Sequence, residues 1–127
     1  MSQSDVDLIR ATYESFGRGD IPAVMANFAE DIEWNAPDVL PHGRRVRGHE
    51  GVGQFFAGLG DQWTDFGLEI EEIVDGDSAV LGRGRASGRL HGSATGYGFV
   101  HAFTIRDGKV ARFDEYVAPP EGGFPTT

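Results

Sequence analysis

Apolar residues in the first half of the chain recur at helical spacing. A first helix is expected over residues 4–16, with Ser4 as its cap. Asp20 is placed to cap a second helix, with Pro22 in its first turn, where a missing N–H does no harm. A third helix is expected over residues 49–59. The buried faces of the three comprise Val6, Ile9, Thr12, Tyr13, Phe16, Val24, Met25, Phe28, Val52, Phe55, Phe56 and Leu59.

One short strand precedes the third helix. Ile32, Trp34 and Ala36 alternate with polar residues, and Pro37 stops the alternation. The segment 37–48 is expected to be a loop.

From residue 64 onward the period changes from helical to alternating. Turn signals at Asp75-Gly76, His91-Gly92 and Asp107-Gly108 divide this part into strands over residues 64–74, 78–90, 93–106 and 109–117. Consecutive strands with short turns form an antiparallel meander, and strands of this length must twist. Residues 118–127 contain three Pro and two Gly, which predicts a flexible tail after a single domain over 1–117.

The last hairpin decides which acidic residue faces inward. His101 lies on the apolar face of the third meander strand. A two-residue turn at Asp107-Gly108 would place Asp114 opposite His101, whereas a three-residue loop with a glycine bulge would place Phe113 opposite His101 and Glu115 diagonal to it. The bulge puts Phe113 on the apolar face, so patterning favours Glu115 as the inward carboxylate, with Asp114 as the alternative.

Small residues line one face of the second meander strand. Gly82, Gly84 and Gly88 alternate there with arginines, leaving space that aromatic residues elsewhere cannot all fill. This favours a cavity over a solid core, although the glycines can also be explained as permitting a bend. The aromatic residues expected in the cavity wall are Phe16, Trp34, Phe55, Phe56, Trp63, Phe99, Phe103 and Phe113.

The composition limits the classes of partner that the protein is expected to bind. The net charge of −9 argues against nucleic acid and anionic membranes, which require surplus Lys and Arg. The chain lacks cysteine, an N-terminal leader pattern and any apolar run of about 18 residues, so a cytoplasmic protein is expected. His42, His49 and His101 come from separate elements without ligand spacing, so no metal is expected.

Several short motifs follow one another in a recognisable order. They are Tyr13-Glu14-Ser15-Phe16, Phe28-Ala29-Glu30-Asp31, His101-Ala102-Phe103, Asp107-Gly108-Lys109 and Phe113-Asp114-Glu115-Tyr116. With the order of elements, they resemble the SnoaL-like group of the NTF2-like superfamily. The resemblance implies an α+β cone, in which three N-terminal helices pack on a strongly curved antiparallel sheet. It also implies a homodimer through the outer sheet face, which here carries Arg83, Arg85 and Arg89.

Known members of the superfamily include polyketide cyclases, ketosteroid isomerase, limonene epoxide hydrolase, scytalone dehydratase and binding or scaffold proteins. Ala36 and Thr12 stand where the isomerase has its general base and its oxyanion tyrosine, so steroid isomerisation is not expected. Glu115 matches one carboxylate of the epoxide hydrolase, but that enzyme's Arg and Asp have no counterparts. The pair His101 and Glu115 is similar to that of SnoaL-type cyclases.

The resemblance therefore implies a hydrophobic small-molecule ligand of polycyclic, polyketide-like or terpenoid-like type. His101 and Glu115 would be the catalytic residues of a cofactor-independent acid/base isomerisation or aldol-type cyclisation, since histidine beside a carboxylate can pass a proton near neutral pH. Two alternatives stay open. One is a non-catalytic binding or scaffold protein of the same fold, and the other is an epoxide-hydrolase-like or dehydratase-like enzyme.

Overall fold

The computed structural model describes residues 3–126, in which three helices precede most of a six-stranded sheet. The helices are α1 (Gln3–Gly17), α2 (Ile21–Ala26) and α3 (Gly48–Gln62). Asp20 caps α2 as expected, because its carboxylate accepts a hydrogen bond from the Ala23 N–H at 3.2 Å. Ser4, the expected cap of the first helix, lies inside α1 as the structure describes it.

The strands form one sheet in the order β2-β1-β6-β5-β4-β3. They are β1 (Phe28–Asn35), β2 (Arg45–Arg47), β3 (Trp63–Asp75), β4 (Val80–Leu90), β5 (Ser93–Arg106) and β6 (Lys109–Ala118). The expected antiparallel meander is β3 to β6. The α+β class and the curved sheet are confirmed, and α1 and α3 pack against the sheet.

Two sequence-based expectations were wrong in the region between α2 and α3. Phe28 begins β1 instead of belonging to the face of α2, and the supposed loop 37–48 contains β2, which pairs with β1. The first strand also pairs with β6 in parallel, which places Trp34 beside Phe113. A parallel pair needs a long connection between its strands, and here most of the domain supplies it.

The glycine face of β4 is not empty. The Tyr13 hydroxyl lies where a side chain at position 82 would be, and β3 bulges so that the Glu69 carbonyl oxygen occupies the corresponding space at Gly84. Gly88 lies against the backbone of the other β3 bulge, at Asp65, which has a left-handed φ of 55°. These glycines therefore allow close packing, and the missing side chains do not account for a cavity.

The tail contributes to the core at one point. Phe124 lies edge-on to Tyr97, with the ring centroids 5.4 Å apart, and packs against the buried cluster. Within the described residues, the helices are too short or too polar to cross a bilayer.

Candidate functional site

The β5–β6 hairpin fixes the inward carboxylate by a route that the sequence analysis did not consider. The turn has two residues, Asp107 and Gly108, both with positive φ, and the ladder resumes immediately with Ile105 opposite Val110. The extra residue is Ala111, one step further along β6. Beyond this bulge Glu115 pairs directly with His101.

Glu115 and His101 form a buried pair. Nε2 of His101 lies 3.2 Å from Oε2 of Glu115, and the two residues are 6% and 9% exposed respectively. Phe99 stacks on the imidazole at a centroid distance of 4.0 Å, which holds the ring in the plane that reaches the carboxylate.

Tyr13 extends this pair into a chain of three groups. Its hydroxyl lies 2.8 Å from Nδ1 of His101, on the far side of the ring from Glu115. Burial raises the pKa of Tyr13, and the negative charge of Glu115 raises it further, so the phenol stays protonated. With its proton on Nε2, a neutral His101 accepts a hydrogen bond from the Tyr13 hydroxyl at Nδ1 and donates one to Glu115.

Asp114, the alternative carboxylate, faces away from this chain. It accepts hydrogen bonds from Arg112 at 2.9 Å and from the Asn35 amide at 3.0 Å. Partial burial acts to raise the pKa of Asp114, but these two hydrogen bonds outweigh it and hold the pKa below its usual range. Asp114 is therefore a surface acid with its own partners.

Glu115 and His101 line an interior cavity between the helices and the sheet. The cavity has a volume of about 70 Å³. Of the expected wall residues, Phe16, Trp34, Phe55, Phe56, Phe103 and Phe113 line the cavity.

Two expected wall residues lie behind it. Phe99 does not line the cavity because it is stacked against His101, and Trp63 does not because its indole supports His42. Both are almost fully buried. They position wall residues rather than forming the wall.

His42, which the sequence placed in the expected loop 37–48, lines the cavity. It is 6% exposed and lines the void, and its Nδ1 accepts a hydrogen bond from the Trp63 indole N–H at 3.2 Å. Burial lowers the pKa of His42, although the negative charge of Glu115 acts in the opposite direction. His42 is therefore neutral at neutral pH.

Sequence reasoning missed three polar residues of the cavity, namely Tyr13, His42 and Tyr97. Tyr13 was on the expected buried face of α1. Its hydroxyl can contact His101 only because position 82, on strand β4, is a glycine. Tyr97 could have been predicted from the alternation of side chains along β5, because it lies on the same face as Phe99 and His101. The sequence around His42 has no feature that identifies it as a cavity residue.

The described part of the chain contains no group of three or more His, Asp or Glu side chains arranged to hold a metal ion.

Comparison with known proteins agrees with this architecture. An uncharacterized protein of Mycobacterium tuberculosis is 28% identical over 125 residues, covering 92% of this chain and 91% of the relative. An NTF2-like protein of unknown function from Burkholderia pseudomallei is 25% identical, with a TM-score of 0.85 and coverage of 93% of this chain and 92% of that one. TerC, co-crystallised with polyporic acid, is 26% identical, with a TM-score of 0.83 and coverage of 91% and 92%.

The family assignment rests on a match that spans most of the chain. The model of the SnoaL-like domain matches residues 9–113, from α1 through the centre of β6. The protein therefore belongs to the SnoaL-like domain family, within the NTF2-like superfamily.

Proposed function

We propose that the protein is a cofactor-independent acid/base enzyme that acts on a hydrophobic, carbonyl-bearing small molecule by isomerisation or aldol-type cyclisation. The observation that carries the proposal is the buried Tyr13–His101–Glu115 chain at the wall of an aromatic cavity. A purely structural pair would not need a carboxylate at the cavity surface.

Glu115 is the base in this proposal. Its Oε2 faces His101, while no hydrogen bond from the described residues reaches its Oε1. Oε1 can therefore take a proton from a carbon next to a carbonyl group, and His101 keeps the carboxylate oriented while it does so. Both ring nitrogens of His101 are occupied by protein partners, so it acts on the substrate through Glu115.

Tyr13 supplies the outer end of the chain. It borders the cavity and also an outer groove that is lined by Arg10, Glu14 and Glu71. With the His101 proton on Nε2, this chain donates from Tyr13 towards Oε2 of Glu115 and so orients the carboxylate. The proton taken at Oε1 returns from there to the substrate or exchanges with solvent at the cavity mouth.

The cavity favours a flat ligand with few rings. Its walls are aromatic, and the free space is far below the several hundred Å³ that a drug-sized ligand needs, so a larger ligand requires rotation of wall side chains. The co-crystallisation of TerC with polyporic acid supports a small-molecule ligand for a protein of this fold.

The proposal is tested by the exchange of hydrogen for deuterium next to the carbonyl of 2-tetralone, an enolisable two-ring ketone. In D₂O the wild-type protein is expected to accelerate this exchange above the buffer rate, with a rate that saturates as the ketone concentration rises. Proton NMR follows the loss of the signal. Saturable binding of 2-tetralone without faster exchange would instead identify a non-catalytic binding module.

We also propose a homodimer through the outer sheet face. Arg83 is already paired there with Glu71 and Glu72, at 3.1 and 3.2 Å, so its charge does not oppose a second copy. Tyr116, which is 62% exposed, supplies an apolar contact next to Val100. Analytical ultracentrifugation should give twice the monomer mass for the wild type, and Tyr116→Asp should shift the protein towards monomer. A monomeric wild type would refute the dimer.

A further inference from the structure

Trp34 carries a buried hydrogen-bond donor that has no acceptor. Trp34 is 6% exposed and lines the cavity, and its indole Nε1–H has no partner. Among residues 3–126 it is the one fully buried side-chain nitrogen or oxygen in this condition. Buried donors are almost always paired in folded proteins, so an unpaired one in a cavity wall indicates a missing acceptor.

His42 provides a second donor in the same cavity. Trp63 donates to its Nδ1, and because indole is only a donor, a neutral His42 must carry its proton on Nε2. No hydrogen bond from the described residues reaches that Nε2. The low pKa of His42, which follows from burial, agrees with the neutral form.

The rings that carry the two donors share a neighbour in the cavity wall. Both rings pack against Phe55, the indole at a centroid distance of 5.2 Å and the imidazole at 5.6 Å. Glu115 is the acidic residue of the same wall and offers an acceptor. The cavity therefore contains a base and two donors that lack acceptors, and most of its other lining residues are apolar.

We propose that Trp34 and His42 bind the carbonyl oxygen of the ligand and thereby select carbonyl-bearing molecules over hydrocarbons of the same shape. This inference rests on the proposed function, which places Glu115 beside the carbon to be deprotonated. Removal of that proton turns the carbonyl oxygen into an enolate oxygen. Donors that are already in place then stabilise the negative charge as it develops.

The test compares 2-tetralone with tetralin, which has the same two-ring framework without oxygen. The wild-type protein is expected to bind the ketone about five- to tenfold more tightly, the ratio that one net hydrogen bond gives. Trp34→Phe should keep the affinity for tetralin within a few-fold and lose the preference for the ketone. Phe56→Leu is the matched control, because it changes an aromatic wall residue without a donor and should weaken both ligands alike.

A second measurement needs no variant at the site. The chain has two tryptophans, so a ¹⁵N-tryptophan sample shows two indole N–H signals. The ketone should move the Trp34 signal downfield and leave the Trp63 signal, whose proton is already bonded to His42, nearly in place. Tetralin should produce no downfield shift. Equal affinities for ketone and hydrocarbon in the wild type, or a preference that survives Trp34→Phe, would overturn the inference. Proton exchange is measured separately from binding. If the protein accelerates the exchange of 2-tetralone but does not prefer the ketone to tetralin, the role of Glu115 as base is supported and only the role of Trp34 and His42 as donors is rejected.

Discussion

Replacing Glu115 with glutamine is expected to reduce the protein-catalysed exchange of 2-tetralone by about 10²–10⁴-fold, the usual contribution of a general base. Glutamine has nearly the same shape, and its amide oxygen can still accept a hydrogen bond from Nε2 of His101, so the fold should survive. What disappears is the basic oxygen at the cavity surface. Proton NMR in D₂O gives the rate, and circular dichroism checks the fold.

Asp114→Asn is the matched control for this experiment. It changes the neighbouring carboxyl group in the same way, but Asp114 faces outward and is bonded to Arg112 and Asn35. Its exchange rate should stay within about twofold of the wild type, because it supplies no group to the cavity. If Asp114→Asn loses the exchange and Glu115→Gln keeps it, the assignment of the base is wrong.

Gly84→Ala is expected to destabilise the domain by about 1–3 kcal/mol or more, because the added methyl group meets the Glu69 carbonyl oxygen of the bulged strand β3. The backbone of β3 cannot move aside without loss of ladder hydrogen bonds to β4. Urea denaturation monitored by tryptophan fluorescence measures the change in the free energy of unfolding.

Gly82→Ala, two residues away on the same face, separates packing from the site. Its methyl group meets the hydroxyl of Tyr13, the end of a side chain that can rotate, so the loss of stability should be smaller than at Gly84. The rotation would move the hydroxyl away from His101, and the exchange rate should fall. Equal destabilisation at the two positions would contradict the structural difference between them.

The parts of the fold that the sequence predicted are those determined by local pattern. The meander from β3 to β6 follows from alternation and glycine turns, and the three helices follow from apolar spacing. The missing part was β2, where Arg45-Val46-Arg47 shows no apolar alternation and is extended only because it pairs with β1. The parallel pairing of β1 with β6 is likewise a long-range contact that no local pattern encodes.

For the candidate site, the sequence identified which residues would be close but not how they bond. Strand alternation was enough to put His101 and Glu115 on the same face of the sheet. The bulge was expected in the turn, whereas it lies at Ala111. Tyr13 and His42 reach the cavity through tertiary packing. The Tyr13 hydroxyl occupies the space beside Gly82, and His42 is held by the indole of Trp63. The glycine face of β4 indicated free space that is not there, because a strand's own sequence does not show that its neighbour bulges onto it.

The bulge at Ala111 also bears on how the protein tolerates changes in chain length. Val110, Phe113 and Glu115 all face inward, although the first two are an odd number of positions apart. Without Ala111 the three would alternate regularly, and the two-residue turn could be kept. Deletion of Ala111 would therefore keep the same three side chains facing inward. A deletion between Arg112 and Glu115 would instead shift the residues beyond it by one position, so that their side chains would exchange faces of the sheet. During evolution, the hairpin could lose a residue at Ala111 without moving the acid away from His101.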